Sequence, residues 1–318
     1  MTRSAGHSNG VEAESLLGPD DLPPYEIINP HGTAPVLLTC EHAGRAVPKA
    51  LGSLGMDAED FDQHYAYDPG ARDVTLRLAA LLNAPALVGN YSRMVVDVGR
   101  SRNATAFPTV GEGKEIKGNV DLSEQAREER FKALYDPYHT KLNEMLDHHF
   151  LAKGVVPAMV SIHSFTPVFH GEARPWEVGI LWLQDGRIPV PLMDHFRAKA
   201  YVVGDNQPYD IRALRGVAVV DRYADTRALP NVMVEFRNDL IRTPEDVETH
   251  TQVLYEGLQA IFADEGEGVF SLYDGPRAPE AAYDPEAEKA YFAKVMRTIS
   301  ATGVATGAAT KGDQADGS

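Results

Sequence analysis

Residues 37–48 read LLTCEHAGRAVP, an apolar run that stops at Cys40, Glu41 and His42 before glycine and proline turn the chain. Three other apolar runs end in the same way: MVSI reaches His163 and Ser164, RMVVDVG carries Asp97 and leads to Arg100, and NVMV leads to Glu235, Arg237, Asn238 and Asp239. Two imidazoles and a carboxylate from a helix start such as Asp68 meet the needs of a catalytic Zn2+, which takes three neutral or anionic donors and leaves a fourth position to water. Such a metal brings the pKa of its water to about 7, and a nearby carboxylate can accept the proton as the oxygen attacks a carbonyl. Glu235 suits that base, because a strand end fixes its backbone. The arginines suit another task, since a forked guanidinium grips a carboxylate through two parallel hydrogen bonds that lysine cannot imitate. The same donors also suit Fe, Co and Mn, so another divalent transition metal could take the place of zinc.

Plainer roles stand beside these. The chain has no HExxH, paired CxxC, P-loop, GxSxG or complete GxGxxG pattern. A lone histidine at a strand end is more often a hydrogen-bonded structural residue, and Asp68 before Pro69 also reads as a helix cap, although one carboxylate can serve both ends. Cys40 reads as a small buried strand residue, because a neighbouring carboxylate raises a thiol pKa. Tyr138 and His139 fall mid-helix and suit packing or support, while His148 and His149 end a helix where imidazolium meets the negative dipole end. What singles out the polar set is its recurrence after separate apolar runs.

The frame that must position them is legible as alternating strands and helices. Apolar runs at 34–40, 84–91, 93–99, 157–163, 178–183, 201–206 and 231–236 are too uniformly apolar for a sheet with one wet face. Helical spacing follows Asp68 and Pro69 through Ala71, Val74, Leu78 and Leu81, and recurs over 121–150, 243–266 and 284–301. In the second of these, Asp121 and Glu124 resemble a capping box and Pro137 should kink or divide the helix. Strand and helix in alternation predict a largely parallel, doubly wound sheet whose working crevice lies beyond the strand C-termini. Residues 1–25 and 301–318 are polar, low-complexity ends, and 26–300 is expected to be one α/β domain.

Bulk composition narrows the partners. With 46 acidic and 30 basic residues the formal charge is −16, which repels nucleic acid and anionic membranes in the absence of a Lys/Arg run. The 43% hydrophobic content of the 318 residues suffices for a large core. One cysteine excludes an intrachain disulfide, and neither a secretory apolar core nor a membrane-length apolar run occurs, so a cytoplasmic protein is expected. The loops 101–121 and 164–179 follow Arg100 and His163 directly; each could close over a substrate or serve a contact between copies in a homo-oligomer.

At these residues the sequence resembles the N-formylglutamate amidohydrolase family. The likeness runs in order through LLTCEHAGRAVP, YDPGARD, YSRMVVDVGRS, YDPYHTKL, SIHSFTP, GDNQPYD and VMVEFRNDLI, over roughly residues 30 to 265. It implies a three-layer α/β/α fold with a mostly parallel central sheet, like that of zinc peptidases, and hydrolysis of an N-acyl amino acid, N-formylglutamate above all. It also implies His42 and His163 as metal ligands and Asp68 as the third, with Glu41 as competitor; adjacent side chains rarely aim at one ion, which favours Asp68. Glu235 would be the general base, Arg93 and Arg100 the carboxylate binders, and Asp97 would orient either arginine; Ser164, Arg237 and Asn238 complete the expected substrate rim. One departure stands out: Tyr223 occupies the place where many members carry histidine, and a phenol is neither a neutral base nor a ready metal ligand at neutral pH.

Overall fold

The computed structural model describes residues 15–212, 219–263 and 268–275. Its strands in chain order are β1 (Tyr25–Ile28), β2 (Val36–Cys40), β3 (Ala86–Gly89), the short hairpin β4 (Val110–Gly111) and β5 (Lys114–Glu115), then β6 (Ala158–Phe165), a second hairpin β7 (Val168–Phe169) and β8 (Glu172–Ala173), and β9 (Val178–Leu181), β10 (Val203–Asp205) and β11 (Asn231–Arg237). The helices are α1 (Ala71–Leu82), α2 (Glu124–Arg130), α3 (Asp136–Glu144), α4 (Pro189–Ala198), α5 (Val219–Tyr223) and α6 (Pro244–Ala263). Seven strands form one sheet in the order β1-β3-β2-β6-β11-β9-β10. β3, β2, β6 and β11 run parallel, β1 is an antiparallel edge, and β9 enters antiparallel to β11 with β10 parallel beside it.

Alternation along the strands assigns residues to two cores. Val36, Leu38 and Cys40, Val160 and Ile162, and Val232, Val234 and Phe236 face α1, α4 and α6. Leu37, Leu87, Met159, Leu181 and Met233 face α3 and α5. Helices therefore cover both faces, which explains strands without a polar side. Each fully buried Leu, Ile, Val or Phe contributes about 1.5–3 kcal/mol.

Several local expectations change. Residues 93–99 form turns rather than a strand, because Ser92 anchors the segment: its hydroxyl donates to the Ala66 carbonyl and accepts the Met94 amide. Met94, Val95 and Val96 pack with Phe107, Phe131 and Leu134 in a third apolar cluster. The cap of α1 is Gly70 at φ +81°, not Asp68, and a Cβ there would lie 2.3 Å from the Ile241 carbonyl oxygen. Ser123, rather than Asp121, caps α2 by accepting the Ala126 amide. Pro137 falls in the first turn of α3 directly after a π-turn at Phe131–Tyr135, and the helical path continues through Phe150. The helix expected over 284–301 lies outside the described residues.

Candidate metal and active site

The same alternation builds half of the site. Met159, Ser161 and His163 on β6 and Met233 and Glu235 on β11 point to the α3/α5 face, and Glu235 lies opposite His163 in the register. Glu41, one residue past β2, joins them there: its carboxylate accepts from Ser161 Oγ at 2.9 Å and Tyr138 OH at 3.2 Å, and lies 2.7 Å from His163 Nε2. The other half comes from loops. His42 lies in the turn after β2, Asp68 precedes α1 with its amide on the His42 carbonyl, and Asp97 sits in the loop after Ser92.

His42 Nδ1, His163 Nδ1 and Asp68 Oδ2 form a small triangle with separations of 3.1, 3.3 and 2.8 Å. All three residues are buried and they form a group able to hold a metal ion. A tetrahedral site with bonds of about 2.0–2.1 Å has edges of about 3.3 Å, so the spacing suits a small cation. The outer ring nitrogens also face carboxylates: His42 Nε2 is 2.7 Å from Asp97 Oδ1 and His163 Nε2 is 2.7 Å from Glu41 Oε2. With Nε2–H donated to these carboxylates, each ring in its neutral form turns an Nδ1 lone pair toward the other and toward Asp68. Three acceptors that close require a proton or a cation between them. Glu41, on the outer side of His163, faces away from that point.

Charges around the triangle are strongly perturbed. Burial opposes ionisation of Glu41, but its contacts with His163 prevail and hold the carboxyl at about 2. Asp68 and Asp97 are likewise buried yet held well below the ordinary range, Asp68 by His42, His163 and Arg93, Asp97 by His42 and the two guanidiniums of Arg93 and Arg100. Burial also works against His163 as a cation, yet Asp68 and Glu41 raise it well above its usual value. Glu235 goes the other way: burial pushes it up to about 7, and its Oε2 has no hydrogen-bond partner among the described residues.

A cavity of about 400 Å³ opens over the triangle and Glu235. Arg93 and Arg100 line it, as do the tip of the β4–β5 hairpin at Gly111–Gly113 and the β7–β8 turn at Phe169–His170. Gly99 must be glycine, because a Cβ there would lie 2.8 Å from His42 Nε2 and 3.0 Å from Asp97 Oδ1. A larger cleft of about 1250 Å³ reaches Asp68 and His64 from outside, but neither His42, His163 nor Glu235 lines it.

The profile of the N-formylglutamate amidohydrolase family matches residues 34–242. The chain belongs to that family. It is 33% identical, at a TM-score of 0.74, to a gene product of Agrobacterium tumefaciens, over 78% of this chain and 98% of that one. It also shares its fold, at 14% identity and a TM-score of 0.53, with an N-formylglutamate amidohydrolase from Ralstonia eutropha, over 76% of this chain and 98% of the other. No curated relative matches the sequence. No helix among the described residues is long and apolar enough to cross a membrane.

In this amidohydrolase-family chain, then, His42, Asp68, His163, Glu41, Asp97, Arg93, Arg100, Ser164 and Glu235 share one cavity wall. Ser164 turns its hydroxyl to the Pro69 carbonyl and its amide to Asp68 Oδ2, so it grips the loop before α1. Arg237 and Asn238 do not line the cavity. β11 ends between them, and Arg237 instead pairs with Asp239 and donates to the Trp176 carbonyl. Tyr223 is also elsewhere, 2.8 Å from His139 Nδ1 with the two rings stacked. Sequence reasoning passed over His64, which lines the cavity with Nδ1 3.5 Å from Asp68 Oδ1 and is depressed to about 4 by burial. It also passed over Ser161 and Tyr209, whereas Tyr138, read as a packing or supporting residue, does support the site by donating to Glu41. Parity along β6 marks Ser161, two residues before His163, and Tyr209 falls within the GDNQPYD block; no comparable local signal marks His64.

Proposed function

We propose that the chain is a metal-dependent amidohydrolase that cleaves the N-acyl bond, most simply N-formyl, of a small amino acid with a free α-carboxylate, N-formylglutamate being the substrate that the family name supplies. The supporting observation is the meeting of two inward Nδ1 atoms and Asp68 Oδ2 in the cavity that also holds Glu235. His42, Asp68 and His163 would hold the divalent ion, and zinc suits this donor set, as do Fe, Co and Mn. When bound, the ion supplies Lewis acidity, which polarises a carbonyl and acidifies water near neutral pH. Asp97 and Glu41 fix the two imidazoles by accepting their outer N–H groups.

Glu235 is the proton carrier in this reading. With its carboxyl near 7 and one oxygen unpartnered, it takes a proton from attacking water and passes it to the departing amine. Arg93 is tied to both Asp68 and Asp97. Arg100 contacts Asp97 through Nε, is 31% exposed and lines the cavity, which favours it over Arg93 as the guanidinium that would receive the substrate carboxylate. The two hairpin tips over the cavity favour a small substrate over a peptide or cell-wall strand. A binding protein without catalysis would have no use for a raised carboxyl beside a metal triad.

The test is formate release from N-formyl amino acids by zinc-loaded protein. Activity should vanish with a chelator, return with metal, and be lost in Glu235→Gln while metal content stays at one ion. Hydrolysis indifferent to chelation, or failure of the protein to take up any divalent ion, removes the proposal.

A further inference from the structure

We infer that the substrate carries one carboxylate and one apolar arm rather than two carboxylates, an inference that rests on the amidohydrolase reading above. Around Glu235 the cavity wall includes Leu181, Ile211, Val219 and Met233, with Tyr209 beside them. These four belong to one apolar cluster, so the wall is an outcrop of the core between the sheet and α3/α5 rather than a set of isolated surface contacts. Met233 precedes Glu235 by two residues on the same strand face, and Leu181 lies opposite Met233 in the register. Two residues of strand span about 7 Å, the reach of an amino-acid side chain or a short acyl chain from a scissile amide held at Glu235.

The charges lining the cavity agree. The described lining holds five carboxylates, from Glu41, Asp68, Asp97, Glu112 and Glu235, against two guanidiniums and no lysine. Both guanidiniums already contact Asp97. A divalent ion in the triad would bring the positive charges to four against these five. One substrate carboxylate at Arg100 can be matched, but a second, placed against Leu181, Ile211, Val219 and Met233, would meet no further guanidinium or ammonium in the described lining of the cavity. An aliphatic arm at that place gives up nothing and gains burial.

The arm can be the amino-acid side chain or the acyl group, and the assay separates the two. Zinc-loaded protein is given N-formyl-L-methionine, N-formyl-L-leucine, N-hexanoylglycine and N-formyl-L-glutamate, and kcat/KM is compared within one preparation, so that the active fraction cancels. At least one apolar-arm substrate should exceed N-formyl-L-glutamate by about tenfold or more. Methionine or leucine as the winner places the side chain on the wall; hexanoylglycine places the acyl chain there. Met233→Lys should move the ratio toward N-formyl-L-glutamate by about tenfold. Should that variant fail to fold, calorimetric titration of Glu235→Gln with N-formyl-L-methionine and N-formyl-L-glutamate reads the same preference as binding. Cleavage of N-formyl-L-glutamate as fast as or faster than every apolar-arm substrate overturns this inference and leaves the amidohydrolase reading intact. Cleavage of none of the four overturns both.

Discussion

Exchanging Glu41 for glutamine separates the two carboxylates that compete for the metal. Glu41 Oε2 is 2.7 Å from His163 Nε2, the nitrogen on the far side of the ring from Asp68. Its role is then to fix the ring and enrich the inner nitrogen, and loss of such an orienting partner weakens metal binding by about 10–100-fold. That is about 1.4–2.7 kcal/mol. The glutamine oxygen can still accept from His163 and its amide can turn toward Tyr138, so shape and packing survive while the full negative charge is lost. Asp68→Asn removes a charge from the triangle itself, and a neutral amide oxygen is a poorer ligand for a hard or borderline ion. Its loss of affinity should exceed that of Glu41→Gln. Competition with a chromophoric chelator measures both, with circular dichroism confirming the fold. If Glu41→Gln lost more affinity than Asp68→Asn, or lost none at all, the assignment of inner and outer carboxylates would be wrong.

Three further outcomes follow from the same geometry. The kcat/KM of the metal-loaded protein should rise with pH through the ionisation of Glu235, at about 7 or below, because only the carboxylate accepts a proton; the limb should disappear in Glu235→Gln, whose rate falls by about 10²–10⁴-fold. His139 is held neutral in the fold by burial and by Arg222, with its value lowered from 6.5 to about 3. The unfolded chain therefore binds the proton first as pH falls, and stability drops below 6.5 at up to about 1.4 kcal/mol per pH unit; denaturant titrations from pH 7 to 5 should show a shallower decline in His139→Gln, and an equal decline would exclude His139 as the source. Leu38→Ala, at a fully buried position of β2, should cost about 2–5 kcal/mol in the same titrations.

Legibility differed by the kind of backbone. Where a side chain rides on a strand, parity and position carried the information: Met159, Ser161 and His163, or Met233 and Glu235, fall on one face because the strand period is two. Helix α1 could be read from Val74 and Leu78, and α6 from its long amphipathic run. Segment 93–99 has the composition of a strand, yet its valines are buried under a third cluster, since burial alone does not distinguish a sheet from a packed turn. The short edge strand β1, YEII, is half-buried and too brief to announce itself. The reversed direction of β9 depends on the paths of the connections, which periodicity does not record. Arg237 and Asn238 were expected at the rim because they follow Glu235, but the chain turns at Asn238–Leu240 and carries them off.

The mixed origin of the site makes its loop half dependent on hydrogen bonds remote from the His42–Asp68–His163 triangle. Asp97 and Arg100 have no strand beneath them. The segment is held instead by Arg222, which donates to the Val98 and Gly99 carbonyls and to Tyr135 OH, while Tyr135 donates to the Arg100 carbonyl. Tyr223, next to Arg222 on α5, stacks on His139 of α3 with an interplanar angle of 7° and a centroid distance of 5.4 Å. Tyr223 is thus part of the frame behind the arginine loop and outside the lining of the cavity. Glu235, by contrast, sits on the sheet, and burial raises its carboxyl. Tyr223 and His139 form the joint between α5 and α3. Arg222 and Tyr135 tie that joint to the carbonyls of Gly99 and Arg100.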